Sequence, residues 1–277
     1  MDLMLIQKMQ EYAAKSRLIT RVAVKVRNQC HAILSFHIGK DHNISSNGEK
    51  WFIKKHVSRN AQCVVDIGAN RGGWVSTVCQ SSSSRIEAFC YEPDPRVSSE
   101  FKSNTEKLSG VYLREIAVGE ESGKIEIFLD RESTEKTSAV SGVSKDSIKK
   151  EVEITTLDEE FERIPTEYID MLKIDVEGYE ESVLRGANRL LSKGKIGCIQ
   201  FEYGGAWAKA SATLQGVVSF LRDHEYEVFL LQPNCLQAID FELIGEYFGY
   251  SNYIAVKKSK IQELDEKNMI SGTSEFL

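Results

Sequence analysis

From about residue 60 onward, short apolar runs alternate with amphipathic stretches. This alternation limits the possible folds more than any other feature of the chain. Residues 63–67 read as a strand ending at a Gly-rich turn, and residues 73–80 as the helix after it. Strand-like runs at 86–91, 111–118, 124–129, 152–156, 169–174, 196–201, 226–231 and 253–256 follow. Helical stretches separate several of them. One spans 97–108, one carries Val183, Leu184, Ala187, Leu190 and Leu191 on one face, and one carries Leu214, Val217, Val218 and Leu221. Strands alternating with helices require right-handed crossovers and a mainly parallel sheet, a doubly wound α/β fold. Such sheets bind ligands beyond the carboxyl ends of their strands, so functional side chains are expected just after each strand.

The chain has 277 residues, of which 42% are hydrophobic and 27% charged, enough apolar material for a packed core. Its net charge of -6 excludes a general nucleic-acid binder, which needs clustered Lys and Arg. The charge is uneven: residues 1–40 carry seven basic side chains (Lys8, Lys15, Arg17, Arg21, Lys25, Arg27, Lys40) against Asp2 and Glu11. Within that stretch Leu5, Met9, Tyr12, Ile19, Val22 and Val26 recur at helical spacing, which predicts one amphipathic helix or a pair. The turn-rich stretch 39–48 reads as a boundary. The expected organisation is thus an N-terminal helical segment over 1–48, a main domain over 49–258, and a polar, frayed tail over 259–277. The six cysteines include no C-x-x-C pair, so neither a zinc site nor a redox pair is expected. Reduced, buried thiols and the absence of a leader or a long apolar run lead to an expected cytoplasmic location.

Four strand ends carry chemistry. Asp66-Ile67-Gly68-Ala69-Asn70-Arg71-Gly72-Gly73 follows the first strand and opens a helix. Its glycines let backbone approach a ligand, and helix-start amides favour a carboxylate or phosphate. The loop lacks the G-x-G-x-x-G pattern of dinucleotide sites. Asp66 would repel a diphosphate but could hold an ammonium group. S-adenosylmethionine, with an ammonium, a carboxylate and a sulfonium but no phosphate, suits the loop better. Asp66, Gly68, Asn70 and Gly72 are therefore the candidates for its methionyl part. Glu92, ending the second strand 20 residues after Gly72, stands where an acid takes both ribose hydroxyls. Asp94, two residues on, reads as a helix cap or a second contact.

The stretch Lys173-Ile174-Asp175-Val176-Glu177-Gly178-Tyr179-Glu180 places Lys173, Asp175 and Glu177 on one side of a strand and its exit. Lys173 and Asp175 could instead pair with each other, and Glu180 could sit in a first helical turn. Glu202 ends its strand in the same way, between aromatic neighbours that could wall a sugar or an adenine. Asp175 and Glu177 are the first candidates for the transfer zone, as base or acceptor binders, with Lys173 and Glu202 second. No metal is assigned, because no His accompanies these acids. The five histidines are not expected to act in catalysis.

In order and spacing, these segments resemble the FkbM family of methyltransferases. The likeness runs from about residue 50 to 258 and includes Thr156-Leu157-Asp158 and Leu184-Arg185-Gly186-Ala187. The resemblance implies a seven-stranded, Rossmann-like methyltransferase sheet with an antiparallel last strand. It also implies S-adenosylmethionine as donor and a hydroxyl on a sugar, polysaccharide, lipid or polyketide as acceptor. The N-terminal helices and the 131–150 loop lie outside its motifs and are expected to set acceptor choice. Two other classes stay open at this point: a nicotinamide-dependent oxidoreductase on a similar sheet, and a non-catalytic module keeping the fold. For the basic N-terminal helix, the alternatives are a peripheral membrane contact, a homodimer contact and an ordinary packed helix.

Overall fold

The alternation resolves into two sheets in the computed structural model, which describes residues 3–39, 41–58, 61–133, 137–143 and 146–271. The strands are β1 (Cys63–Ile67), β2 (Glu87–Tyr91), β3 (Val111–Arg114), β4 (Ala117–Val118), β5 (Gly123–Asp130), β6 (Ser147–Thr155), β7 (Ile169–Ile174), β8 (Ile196–Tyr203), β9 (Tyr226–Gln232), β10 (Cys235–Ala238), β11 (Ser251–Lys257) and β12 (Ile270–Ser271). Asp2, Lys40, residues 272–277 of the expected tail and parts of the 131–150 loop lie outside the described residues.

The main sheet runs β12-β10-β9-β11-β8-β7-β1-β2-β3. Strands β3, β2, β1, β7 and β8 are mutually parallel, and β11 is antiparallel to both its neighbours. The fold is α/β with a mixed sheet, and that sheet has nine strands among the described residues rather than seven. The two extra strands are the short β10 and β12 at one edge. They carry too few residues to show a period, and they form because β9 turns back on itself and Met269 is buried beneath them. The expectation of a frayed tail is corrected accordingly: Lys258–Glu266 is a helix whose Leu264 is fully buried.

Two apolar clusters cover the sheet, one on each face. One holds Val65, Leu172, Ile199 and Phe201 with the helices after β7 and β8; the other holds Val64, Met171 and Cys198 with Phe52, Val75 and Leu264. Strands buried on both faces explain why the sequence shows continuous apolar runs rather than alternation.

The predicted strand 111–118 divides. Its first half, β3, pairs with β2, while β4 joins a second sheet, β4-β6-β5, in which β5 and β6 form an antiparallel hairpin. The single helix predicted over 183–191 also divides, into Glu180–Arg185 and Asn188–Ser192. Asp158 causes the break. Its N–H donates to the Gly186 carbonyl at 3.0 Å, and its carboxylate accepts from the N–H groups of Arg189 and Leu190 at 2.8 and 2.9 Å. A Cβ on Gly186 would sit 1.9 Å from the Gly119 carbonyl oxygen, so only glycine lets the second sheet approach this closely. The Thr156–Asp158 and Leu184–Ala187 motifs thus lock one sheet against the other.

Residues 3–37 form two helices, Leu3–Ala14 and Arg17–His37, the second capped by the Ser16 hydroxyl. No described helix is long and apolar enough to cross a membrane.

Candidate active site

The carboxyl ends of β1, β2, β7 and β8 lie side by side: Ile67 pairs with Tyr91 and Ile174, and Ile174 with Phe201. The connections after β1 and β7 lead to opposite sides of the sheet, β1 to β2 and β7 to β8, so the loops there splay apart and leave a crevice. A cavity of about 710 Å³ opens at that point.

The β1 loop reaches the cavity through close backbone packing. Gly68 has φ +81°, and a Cβ there would lie 1.8 Å from the Asp175 carbonyl oxygen. The N–H groups of Gly68 and Ala69 donate to the Tyr91 carbonyl, and that of Asp175 to Ile67. These bonds tie three strand exits into one rigid rim. Gly68 and Asn70 line the cavity. Gly72, at φ +78°, turns the chain into the helix Gly73–Ser81 and packs beside Phe101.

Glu92 lies on the cavity wall, 7% exposed. Its carboxylate accepts from the N–H of Asn70 at 2.9 Å and of Asp94 at 2.8 Å. Burial pushes its pKa up to about 7, against the lowering by those two N–H groups. Two bonds leave lone pairs on both oxygens, enough to accept a vicinal diol. Asp94 is not a helix cap. Its carboxylate holds the Arg96 guanidinium at 2.6 Å and the Thr137 hydroxyl at 3.0 Å, and so anchors the 137–143 segment against the cavity.

After β7 the chain makes a strained turn. Glu177 has φ +54° and Gly178 φ +103°; a Cβ on Gly178 would lie 2.8 Å from that of Ala206. Glu180 holds the turn. It is fully buried and accepts from the N–H groups of Val176 and Gly178, each at 2.9 Å, and burial pushes its pKa up to about 7. Carboxylate oxygens of Asp175, Glu177 and Glu202 lie within 4.8 Å of one another, which makes them the described residues able to hold a divalent cation. Burial, reinforced by Asp175, Glu177 and Glu180, holds Glu202 well above the usual carboxylate range.

Strand register places Asp66, Lys173 and Gln200 in one row across β1, β7 and β8. The Lys173 ammonium lies 2.9 Å from Asp175 and 3.8 Å from Asp66. Burial alone favours a neutral amine, but Asp175, Asp66 and Glu49 outweigh it and keep Lys173 charged. Lys173 is therefore a counter-ion and has no lone pair to act as a base. Asp66 is fully buried behind the cavity wall, and neither of its oxygens has a hydrogen-bond partner. Burial pushes its pKa up to about 6, against the lowering by Lys173. The free oxygens fit an ammonium or water partner better than a diphosphate.

The aromatic neighbours of Glu202 do not wall the cavity. Phe201 and Tyr203 point to the opposite face and are fully buried, stacking with Trp207 and Tyr253 in the core. Period-two alternation forces this once Glu202 faces the cavity. Tyr179, Trp207 and Tyr250 line it instead.

Several lining residues carry no motif. The 39–48 stretch, expected only as a boundary, supplies His42 and Ile44, with His42 packed on Tyr250 at 3.6 Å between ring centroids. Glu49 follows, buried, and accepts from Gln200 Nε2 at 2.7 Å. Thr137, Ser138 and Ala139 close another side, and the Ser138 hydroxyl donates to the Glu177 carbonyl at 2.6 Å. Polar turn residues such as these look like any surface loop until the fold brings them inward.

Among the described residues lining the cavity, six carboxylates (Glu49, Glu92, Asp175, Glu177, Glu180, Glu202) face two cationic side chains, Arg71 and Lys173. Arg71 is itself paired with Glu100 at 3.2 Å.

The methyltransferase FkbM domain matches residues 66–228, more than half of the chain. The 2-O-methyltransferase NoeI of Sinorhizobium fredii (strain NBRC 101917 / NGR234) is 27% identical over 144 residues. That alignment covers 47% of this chain and 59% of the relative's length. Among solved structures, an rRNA methylase from Streptococcus thermophilus aligns with a TM-score of 0.44 at 9% identity, covering 78% of this chain and 98% of that one. TrmK of M. capricolum, in complex with S-adenosyl-homocysteine, aligns with a TM-score of 0.44 at 13% identity, covering 82% and 71%.

Proposed function

The chain belongs to the FkbM methyltransferase family, and on that premise we propose that it transfers a methyl group from S-adenosylmethionine to a hydroxyl oxygen of a sugar, polysaccharide or related natural-product acceptor. The observation that carries the reading is the charge of the cavity. A surplus of carboxylates in a partly desolvated crevice attracts a cationic donor and repels the diphosphate of a nicotinamide cofactor. The 2-O-methyltransferase relative supports an oxygen acceptor. A non-catalytic module is disfavoured by the strand-end acids: Glu92, Asp175, Glu177 and Glu202 all line one cavity, and a module without activity need not retain them.

S-adenosylmethionine, when bound, supplies an electrophilic methyl on a sulfonium. Glu92 takes the ribose hydroxyls, and the loop Gly68–Gly72 with Asp66 behind it takes the methionyl end. Asp175, Glu177 and Glu202 surround the remaining space, where an acceptor hydroxyl can be aligned for in-line attack. With the donor bound, the acceptor oxygen would take its methyl as the carbon–sulfur bond breaks and S-adenosylhomocysteine leaves, and one of these carboxylates would accept the hydroxyl proton. Asp175 is the first choice, since Lys173 fixes its position at 2.9 Å. Glu202, raised well above the usual carboxylate range by burial and its acidic neighbours, is placed to hydrogen-bond the acceptor. Thr137–Ala139 and His42 shape the acceptor side.

Calorimetry with S-adenosylhomocysteine and with NAD tests the donor, and a radiolabelled methyl-transfer assay on a panel of sugars and glycans tests the acceptor. Saturable binding of S-adenosylhomocysteine with none of NAD is expected. The reverse pattern sinks the reading.

A further inference from the structure

Fifteen large apolar side chains are exposed among the described residues, and twelve of them lie between residues 4 and 36. Of the eight on the helix Arg17–His37, six share one face, while Val24 and Leu34 lie outside it. At about 100° per residue, Leu18, Ile19, Val22, Val26, Ile33 and Phe36 fall within about 100° of arc on the helix Arg17–His37. Each is between 48% and 82% exposed. Arg21 and Lys25 run along one border of this stripe and Arg27 along the other. Nothing else in the described fold packs onto this face, although the helix end is fastened to the domain. Ile38 is buried, and Gln232 Nε2 donates to the His37 carbonyl at 2.6 Å. His37 and Ile38 also line an apolar cavity of about 200 Å³ whose wall includes Leu243, itself 74% exposed.

We propose that the helix Arg17–His37, continued by Leu3–Ala14, docks in the plane of an anionic lipid surface, apolar stripe inward and basic borders on the headgroups. Charge selects this occupant. Residues 1–40 carry seven basic and two acidic side chains, net +5; the whole chain is at -6, so the remainder is at -11. An anionic surface attracts the helices and repels the rest, which allows one orientation only. The helix is about 32 Å long with cations distributed along its first half, which suits lying in the interface and not crossing it. A second copy is a poorer partner for this face, because Arg17–His37 contains no acidic residue to meet another copy's basic borders. The chain runs from the helix directly into His42, Ile44 and Glu49, so docking holds the mouth of the large cavity near the headgroups. The docking itself does not depend on the chemistry performed in that cavity.

Co-sedimentation of the full chain with vesicles tests this. With phosphatidylcholine vesicles containing phosphatidylserine at low salt, binding is expected; pure phosphatidylcholine vesicles should bind roughly tenfold more weakly or worse. Binding should fall as salt is raised, since surface attraction is screened within about 10 Å at 0.1 M. Val22→Glu with Val26→Glu should abolish it, and Arg21→Glu with Lys25→Glu and Arg27→Glu should remove its dependence on phosphatidylserine. Circular dichroism and melting temperature should be unchanged in both variants, because every substituted side chain is exposed. Failure of the full chain to bind at low salt overturns the proposal, as does equal binding to both vesicle types. A full chain that ignores vesicles but sediments as a dimer, and becomes monomeric on Val22→Glu with Val26→Glu, also overturns it and makes the stripe a contact between copies.

Discussion

The carboxylate of Glu92, at the end of β2, accepts a hydrogen bond from the backbone N–H of Asn70, in the loop after β1, at 2.9 Å. An acid that sequence reading assigns to a ribose thus also sets the shape of the loop beside it. The two roles predict separable effects. Glu92→Gln can still accept one N–H and keeps the loop, but loses the charge that strengthens bonds to a diol. Affinity for S-adenosylhomocysteine is expected to fall by about 1.5–3 kcal/mol, the range for charge-assisted bonds, with little change in melting temperature. Glu92→Ala should lower both.

The same carboxyl predicts a pH dependence. Burial pushes its pKa up to about 7, from an ordinary value of 4.5. A raised folded-state pKa means the fold binds the proton more tightly than the unfolded chain does. That contribution to stability is present in full below 4.5 and is lost as pH rises through 7. Accepting ribose hydroxyls needs the ionised form, so binding should tighten as pH rises from 5 to 7 and release a proton. Calorimetry in buffers of different ionisation heat reads this directly. A pH-independent affinity in the native chain would remove Glu92 from the donor site.

Asp175→Asn retains an oxygen that can accept from Lys173 while removing the charge. Turnover is expected to fall by roughly 100-fold or more, the lower range for acid–base catalysis, with donor affinity little changed. Near-normal single-turnover rates would transfer the proton-accepting role to Glu177 or Glu202.

Glu177→Gly separates strain from function. A side chain at φ +54° costs about 1–2 kcal/mol that glycine does not, against a loss of about 1 kcal/mol from glycine's freer unfolded state. Chemical denaturation should show stability unchanged or slightly raised, while transfer falls sharply. A variant that is fully active would mean the strain has no catalytic purpose.

Gly68→Ala tests the rim. The new Cβ would meet the Asp175 carbonyl oxygen at 1.8 Å, and backbone at that spot cannot yield without moving both loops. Destabilisation of at least about 2 kcal/mol is expected, together with loss of donor binding, since the strained backbone and the displaced loop add. Wild-type stability in urea unfolding would show the rim to be soft.

The convergence of Asp175, Glu177 and Glu202 can be relieved by a proton or by a metal ion. Burial and the neighbouring acids raise the Glu202 carboxyl well above the usual carboxylate range, which favours the proton. Transfer is therefore expected to survive exhaustive chelation. Loss of turnover on EDTA treatment, restored by Mg²⁺ or Mn²⁺, would replace the proton with a cation bound by all three.

The sequence by itself determined the α/β class, because apolar runs long enough for strands covered on both faces alternate with helical faces. It also determined which acids stand at strand ends, because strand position follows from local pattern alone. Asp66, Glu92, Asp175, Glu177 and Glu202 were legible in this way. Only the tertiary structure decided what these acids do to one another. Strand register sets Lys173 beside Asp66 and Asp175, fixing it as a counter-ion; close packing at Gly178 and the carboxylate of Glu180 hold Glu177 in a strained turn. The short edge strands β10 and β12, the division of the 183–191 helix by Asp158, and the arrival of His42, Glu49 and Ser138 at the cavity rest on contacts between residues distant in the chain. Local periodicity carries no record of such contacts, because their energy comes from groups that meet only after the sheet has formed.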